Sequence, residues 1–188
     1  MKILVYILVS LALGILSMNT YRRSAEASEM TALKGLLTAT IVALAATIAV
    51  VIGVAIGNLL ASGHEATDTA VGLACLVVVA LRLVIDALSS RKKTRPTYNL
   101  AKQATQWALA VATSINILLV GIGLGFTRNG VDMGKTILGF AVVTAITMFL
   151  LTYFGIMLGR QRTKVNDKHY PIVSLLLYLA AVMFEALA

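Results

Sequence analysis

Charged residues are scarce in this sequence. Asp, Glu, Lys and Arg make up 13% of the 188 residues, against about a quarter in soluble domains. Hydrophobic residues make up 59%. Such a chain is not an ordinary soluble domain, and it is not intrinsically disordered, because disordered chains are poor in Leu, Ile and Val. The composition predicts an integral membrane protein with several spans.

Residues that carry enzyme chemistry are also few. Cys75 is the single cysteine, which excludes a disulfide within the chain. The two histidines, His64 and His169, fall in polar segments and have no neighbour at the spacing of metal ligands. The sequence contains no nucleophile elbow, Walker loop or His-Glu metal motif. We therefore expect neither an enzyme nor a bound cofactor.

Six apolar segments are long enough, or nearly so, to cross a hydrocarbon core of about 30 Å as helices of about 20 residues. They do not alternate polar and apolar residues as barrel strands do. The prediction is an all-α integral membrane protein of the cytoplasmic (inner) membrane, with six transmembrane helices surrounded by lipid bilayer. Numbered as spans 1 to 6, the segments are Ile3–Asn19, Gly35–Ala61, Thr69–Leu88, Gln103–Phe126, Thr136–Gly159 and Tyr170–Ala188.

The net charge of +8 is explained by loop asymmetry and does not indicate a nucleic-acid partner. Lys and Arg concentrate in the cytoplasmic loops of membrane proteins. The loops after spans 1, 3 and 5 hold twelve of these residues and the opposite side holds three. This asymmetry predicts that both termini lie outside the cytoplasm. The twelve are Arg22, Arg23, Lys34, Arg91, Lys92, Lys93, Arg95, Lys102, Arg160, Arg162, Lys164 and Lys168.

The two halves of the chain share short sequence similarities in the same order. Spans 2 and 5 both end in a GxxxG, spans 3 and 6 end in similar acidic triplets, and spans 1 and 4 share Ser-x-Asn, at offsets of 102, 99 and 97 residues. Three spans per half require opposite orientations, as in transporters built from inverted repeats. The predicted units are residues 1–90 and 102–188, joined by a basic cytoplasmic linker at 91–101. The alternative is a chance echo between apolar helices.

Polar side chains inside the spans are the candidate path for an ion or solute, because they are costly in a membrane. Asn19 and Asn116 stand out, since each offers an amide oxygen that could also ligate a metal. Ser17, Thr113 and Ser114 accompany them. Hydrogen bonding between helices is the structural alternative for all five, and for Asn19 a capping role at the end of its helix is another.

The charged residues inside the spans and the glycines are further candidates for a functional or a structural role. Arg82 and Asp86 are four residues apart and share a helix face, so they could form an ion pair that acts as a static staple or a gate. Glu185 ends span 6 at the position that echoes Asp86, and it could also simply reach the outer interface. Glycines allow close helix packing, and the run Gly121–Gly125 could alternatively let its helix bend beside a solute path. The glycines predicted to pack helices closely are Gly53, Gly57, Gly121, Gly123, Gly125, Gly155 and Gly159.

The stretch from Ala112 to Phe126, ATSINILLVGIGLGF, resembles the MntP family of manganese efflux pumps, which belongs with the lysine-exporter-like transporters. Supporting similarities are Ser17–Asn19, Gly53–Gly57, Arg82–Asp86 and Gly155–Arg160, so that the resemblance covers essentially the whole chain. The resemblance implies export of Mn²⁺ from the cytoplasm, with carboxylates in spans 1, 2 and 4 on the ion path.

The chain departs from this pattern at those carboxylates. Asn19 and Asn116 occupy the acidic positions of spans 1 and 4, and Ala46 aligns with the acidic position of span 2. Mn²⁺ favours carboxylate, carbonyl and water oxygens. Amide oxygens can ligate it but bring no charge, so we expect a weaker divalent site than the resemblance implies.

Two functions remain open from the sequence. The first is a small transporter that exports Mn²⁺, another cation or a small solute by alternating access, with Asn19 and Asn116 facing each other between the halves. The second is a divergent member that no longer transports and serves as a membrane assembly or regulatory subunit. A homo-oligomer is compatible with both.

Overall fold

The computed structural model describes residues 2–28, 30–89, 97–127, 133–161 and 169–187. Within them the chain forms helices and no strand. The helices are α1 (Lys2–Glu26), α2 (Ala32–Leu60), α3 (Glu65–Ser89), α4 (Gln103–Thr127), α5 (Met133–Arg160) and α6 (Tyr170–Ala186). Most of the predicted basic linker lies outside the described residues, as do Arg162, Lys164 and Lys168 of the loop after span 5.

The predicted all-α membrane architecture is confirmed. Helices α1 to α5 are each long and apolar enough to cross a bilayer, and α6 is a shorter apolar helix of 17 residues, or roughly 25 Å. Large apolar side chains are exposed along their outer faces, as lipid contact requires. The chain is therefore a multi-pass membrane protein.

The helices extend beyond the predicted apolar spans. Helix α1 was expected to end at Asn19 but continues for two further turns to Glu26, and the Arg22 side chain in this extension is buried. Helix α3 begins at Glu65 rather than Thr69. Hydropathy predicts only the apolar part of a helix. The polar turns at its ends stay helical because they pack against neighbouring helices. The prediction that Arg22 and Arg23 lie in a loop is thus wrong.

Local signals explain several helix ends. Thr31 caps α2, because its hydroxyl oxygen accepts a hydrogen bond from the Lys34 backbone N–H at 3.3 Å. Pro171 stands in the first turn of α6, where a missing N–H costs nothing. Asp68, in the first turn of α3, accepts hydrogen bonds from Ser62 and from the backbone N–H of Gly63, whose φ is +79°.

Helices from opposite halves of the chain pack against each other. The extended pairings within the described residues are α2 with α4, α1 with α5, α2 with α5, α1 with α6, α3 with α4 and α3 with α6. Helices α1 and α4 approach each other only along a short stretch. Each half thus depends on the other for burial of its apolar faces.

Glycines form the tightest of these contacts. A Cβ on Gly53 of α2 would lie 2.5 Å from the Leu118 carbonyl oxygen and 3.1 Å from the Gly121 Cα in α4. On the other side of the bundle, a Cβ on Gly155 of α5 would lie 2.5 Å from the carbonyl oxygen of Met18 in α1. Gly57, Gly125 and Gly159 repeat these contacts one turn further along. Only glycine permits such backbone approach.

Candidate functional site

Two amide side chains are buried in the bundle with an oxygen that makes no hydrogen bond. Asn19 in α1 is 1% exposed and Asn116 in α4 is 6% exposed. The Oδ1 atoms of both lack a hydrogen-bond partner within the described structure. Leaving a buried acceptor unsatisfied costs about 1–3 kcal/mol. Each oxygen is therefore suited to accept a water, a cation or a donor group of a solute.

Asn19 lies on the side of α1 that faces α6. It follows Ala12 by seven residues, two helical turns, and so shares its face. The carbonyl oxygen of Ala12 accepts a 2.7 Å hydrogen bond from the Ser174 hydroxyl of α6. The extension of α1 to Glu26 places Asn19 well inside the helix. A role for Asn19 as a helix-end cap is therefore excluded.

Asn116 lies on the side of α4 that faces α3. It precedes Gly123 by seven residues, and Gly123 packs against Gly72 and Leu76 of α3. A Cβ on Gly123 would lie 2.9 Å from the Gly72 carbonyl oxygen. Asn116 thus shares the face of α4 that packs against α3 at Gly123.

The expectation that Asn19 and Asn116 face each other stays a prediction. Helical periodicity puts Asn19 on the face of α1 that contacts α6 at Ala12, and Asn116 on the face of α4 that contacts α3 at Gly123. Helices α1 and α4 do meet briefly, where the buried Tyr21 hydroxyl lies near Thr113 without forming a hydrogen bond of ordinary geometry. Asn19 and Asn116 each contribute one buried oxygen without a hydrogen-bond partner in the described structure.

The hydroxyls predicted to accompany the asparagines have other partners. Ser17 shares a 3.2 Å hydrogen bond with Thr152 of α5. Ser114 donates to the carbonyl oxygen of Ala110 at 2.7 Å, and Thr113 donates to carbonyl oxygens of its own preceding turn. These hydroxyls satisfy themselves inside the bundle, so a passing ion would have to compete for them.

Sequence reasoning missed a second hydroxyl pair on the same helix interface. Ser10 and Thr144 share a buried 2.9 Å hydrogen bond between α1 and α5. Ser10 stands seven residues before Ser17, and this spacing was the signal that could have found it. The α1–α5 contact thus combines two buried hydroxyl pairs with the glycine contacts at Gly155 and Gly159.

None of the predicted charged residues Arg82, Asp86 and Glu185 is fully buried. Arg82 is exposed and Asp86 is half-buried, and the ion pair between them stays a prediction. Glu185, in the last turn of α6, accepts a 2.8 Å hydrogen bond from the Thr127 hydroxyl at the end of α4. This bond ties the ends of α4 and α6 together.

The described part of the chain holds no group of three or more His, Cys, Asp or Glu side chains that could bind a metal ion. Ala46, where the resemblance expects an acid, is fully buried in α2 and contributes no ligand. The oxygens that Asn19 and Asn116 themselves offer are uncharged amide oxygens.

A family model described as "Mntp: Putative manganese efflux pump" matches residues 29–184, which is most of the chain. The chain belongs to the MntP family. The match spans α2 to α6 and so includes Asn116 but neither α1 nor Asn19. The similarity of α1 to MntP proteins, expected from Ser17–Asn19, stays a prediction.

Curated MntP proteins of several pseudomonads are similar to this chain, each named "Putative manganese efflux pump MntP". The one from Pseudomonas savastanoi pv. phaseolicola is 29% identical over 151 residues, covering 76% of this chain and 74% of the relative. The one from Pseudomonas aeruginosa strain LESB58 is 30% identical over 127 residues, covering 64% and 63%. No solved structure matches the chain.

Proposed function

We propose that this MntP-family protein exports a cation, with Mn²⁺ as the first candidate, by alternating access between two inverted three-helix halves. The observation that carries the proposal is the buried, unsatisfied amide oxygen of Asn116, in a helix within the family match. It supplies a neutral oxygen ligand inside a membrane-spanning bundle. Asn19 supplies a second such oxygen on another helix.

The pattern of helix pairing supports the two halves. If α1 is exchanged with α4, α2 with α5 and α3 with α6, every extended pairing becomes another extended pairing or itself. The glycine contacts follow the same exchange, joining α2 to α4 and α5 to α1. In inverted repeats these two contacts lie toward opposite membrane faces, so that each could close one end of a path.

Loss of the family's acidic residues predicts weak binding of a divalent ion. A carboxylate about 4 Å from an ion contributes about 4 kcal/mol per unit charge at an effective dielectric of about 20, before desolvation. Asn19 and Asn116 do not make this contribution, because their amide side chains carry no charge. We therefore expect export at high cytoplasmic concentrations of Mn²⁺, or of another cation that tolerates neutral oxygen ligands.

Radioactive Mn²⁺ uptake into everted inner-membrane vesicles, made from a strain without its own Mn²⁺ exporter, tests the proposal. The wild-type chain should transport, Asn116→Ala should lose transport, and Asn116→Asp should lower the KM for Mn²⁺ by tenfold or more, on the order of the added charge. Thr40→Ala is the matched control, because Thr40 is an exposed polar residue of α2 that donates only to its own helix. It should behave like the wild type.

The outcomes separate the alternatives. Transport of another cation or solute, and not of Mn²⁺, would assign the chain to the same fold with a different substrate. A wild-type chain that inserts and folds but transports nothing, while Asn116→Asp does, would favour a subunit that has lost transport. Wild-type rates in Asn116→Ala would contradict the role given to Asn116.

A further inference from the structure

Arg82 is an exposed charge on an apolar surface. It lies on the outer face of α3, among three side chains that are more than half exposed: Val78 at 53%, Leu81 at 58% and Ile85 at 62%. All three are within four residues of Arg82 and so surround it on the helix. This face of α3 is turned away from its contacts with α4 and α6 and toward lipid.

Arg82 lies within the apolar part of α3, so its charged head group needs a polar partner. It precedes Ser89, the last residue of α3, by seven residues, which places its Cα about 10 Å from that helix end. Charged side chains at such positions extend along the helix until the head group reaches the membrane interface. The basic segment of the chain that follows α3 begins at the same end.

We propose that Arg82 binds the phosphate of an anionic phospholipid in the leaflet at the C-terminal end of α3. The planar guanidinium donates two parallel hydrogen bonds to phosphate oxygens, an arrangement that a lysine ammonium does not reproduce. The exposed apolar side chains around it receive the acyl chains. A neutral zwitterionic lipid carries a compensating cation in its head group, so the anionic lipid is preferred.

This proposal is independent of the transported substrate and can be tested by lipid quenching. In a Trp107→Phe background, which removes the single tryptophan, Ile85→Trp places a reporter one helical turn from Arg82. The purified chain is reconstituted in phosphatidylcholine vesicles with increasing fractions of brominated phosphatidylglycerol or brominated phosphatidylcholine. Quenching reports how often each lipid lies beside Arg82.

The expected result is preferential quenching by phosphatidylglycerol, reduced about fivefold to tenfold by Arg82→Gln and partly retained by Arg82→Lys. The preference should survive Asp86→Asn, because the lipid phosphate is held by the Arg82 guanidinium and not by the Asp86 carboxylate. Equal quenching by both lipids in the wild type would overturn the proposal. It would also be overturned if Arg82→Gln left the preference intact, or if this substitution changed the mass of the detergent-solubilised particle, which would identify a second copy as the occupant.

Discussion

Replacing Gly53 by alanine should loosen the α2–α4 contact. The new Cβ would lie 2.5 Å from the Leu118 carbonyl oxygen, 3.1 Å from the Gly121 Cα and 3.1 Å from the Ile122 backbone nitrogen. All three atoms belong to the backbone of α4, so no side chain can rotate away. Ordinary contact begins at 3.4 Å, about 0.9 Å beyond the closest of these distances. The two helices must therefore move apart.

The size of the effect follows from two opposing terms. Overpacking of this kind typically costs about 1–3 kcal/mol, and a rigid backbone partner places Gly53 near the upper end of that range. Alanine returns up to about 1 kcal/mol through its higher helix propensity. The net loss is about 2 kcal/mol, or about 4–8 °C in the unfolding midpoint of a chain this long.

Gly139 is the matched control for this substitution. A Cβ there would lie 3.4 Å from the Tyr6 ring, an ordinary contact, so Gly139→Ala keeps the propensity gain without the overlap. It should raise the midpoint by about 2–4 °C. Thermal unfolding of both variants in the same detergent measures the difference. The reasoning fails if Gly53→Ala is as stable as the wild type, or if the two variants shift in the same direction.

Two further predictions concern hydrogen bonds. Ser17→Ala and Thr152→Val should show a coupling of about 0.6 kcal/mol in a double-mutant cycle measured by unfolding, whereas Ser114→Ala should show none with Thr152→Val, since Ser114 bonds to its own helix. Asp68→Asn should speed amide hydrogen exchange at Gly63 by at least about tenfold, because the amide replaces one of two accepting oxygens by a donor. Unchanged exchange would show that these bonds do not hold the loop.

Hydropathy was sufficient to predict the six helices, since a long apolar run in a membrane has few alternatives to a helix. It could not predict their ends. Helix α1 continues past Asn19 because Arg22 is buried and its carbonyl oxygen contacts Gly159 of α5. This contact joins residues far apart in sequence, and no local sequence pattern around Arg22 predicts it.

The residues of the candidate site could be predicted from the sequence, but their positions relative to the other helices could not. The rule that polar residues are costly inside spans selected Asn19 and Asn116, and both are buried with an unsatisfied oxygen. Which neighbouring helix contacts each of their helix faces, α6 for α1 and α3 for α4, was not predictable. Helical periodicity gives the face of a residue on its own helix, whereas the neighbour of that face depends on how all six helices pack.

The glycine contacts also change how the two halves should be aligned. Gly53 meets the carbonyl of Leu118 and Gly155 meets that of Met18, so these contacts relate α1 to α4 by 100 residues, whereas Ser-x-Asn gives 97. At an offset of 100, Asn19 is equivalent to Leu119 and Asn116 to Leu16.

Each asparagine of a chain with the proposed inverted halves would then have an apolar counterpart. The three-residue difference turns a side chain by about 60° around the helix and moves it about 4.5 Å along the axis. The backbones of the two halves can therefore pack with approximate symmetry although their polar side chains are not placed symmetrically. The two asparagines are therefore not equivalent by this symmetry, and substitution of one should not reproduce the effect of substituting the other.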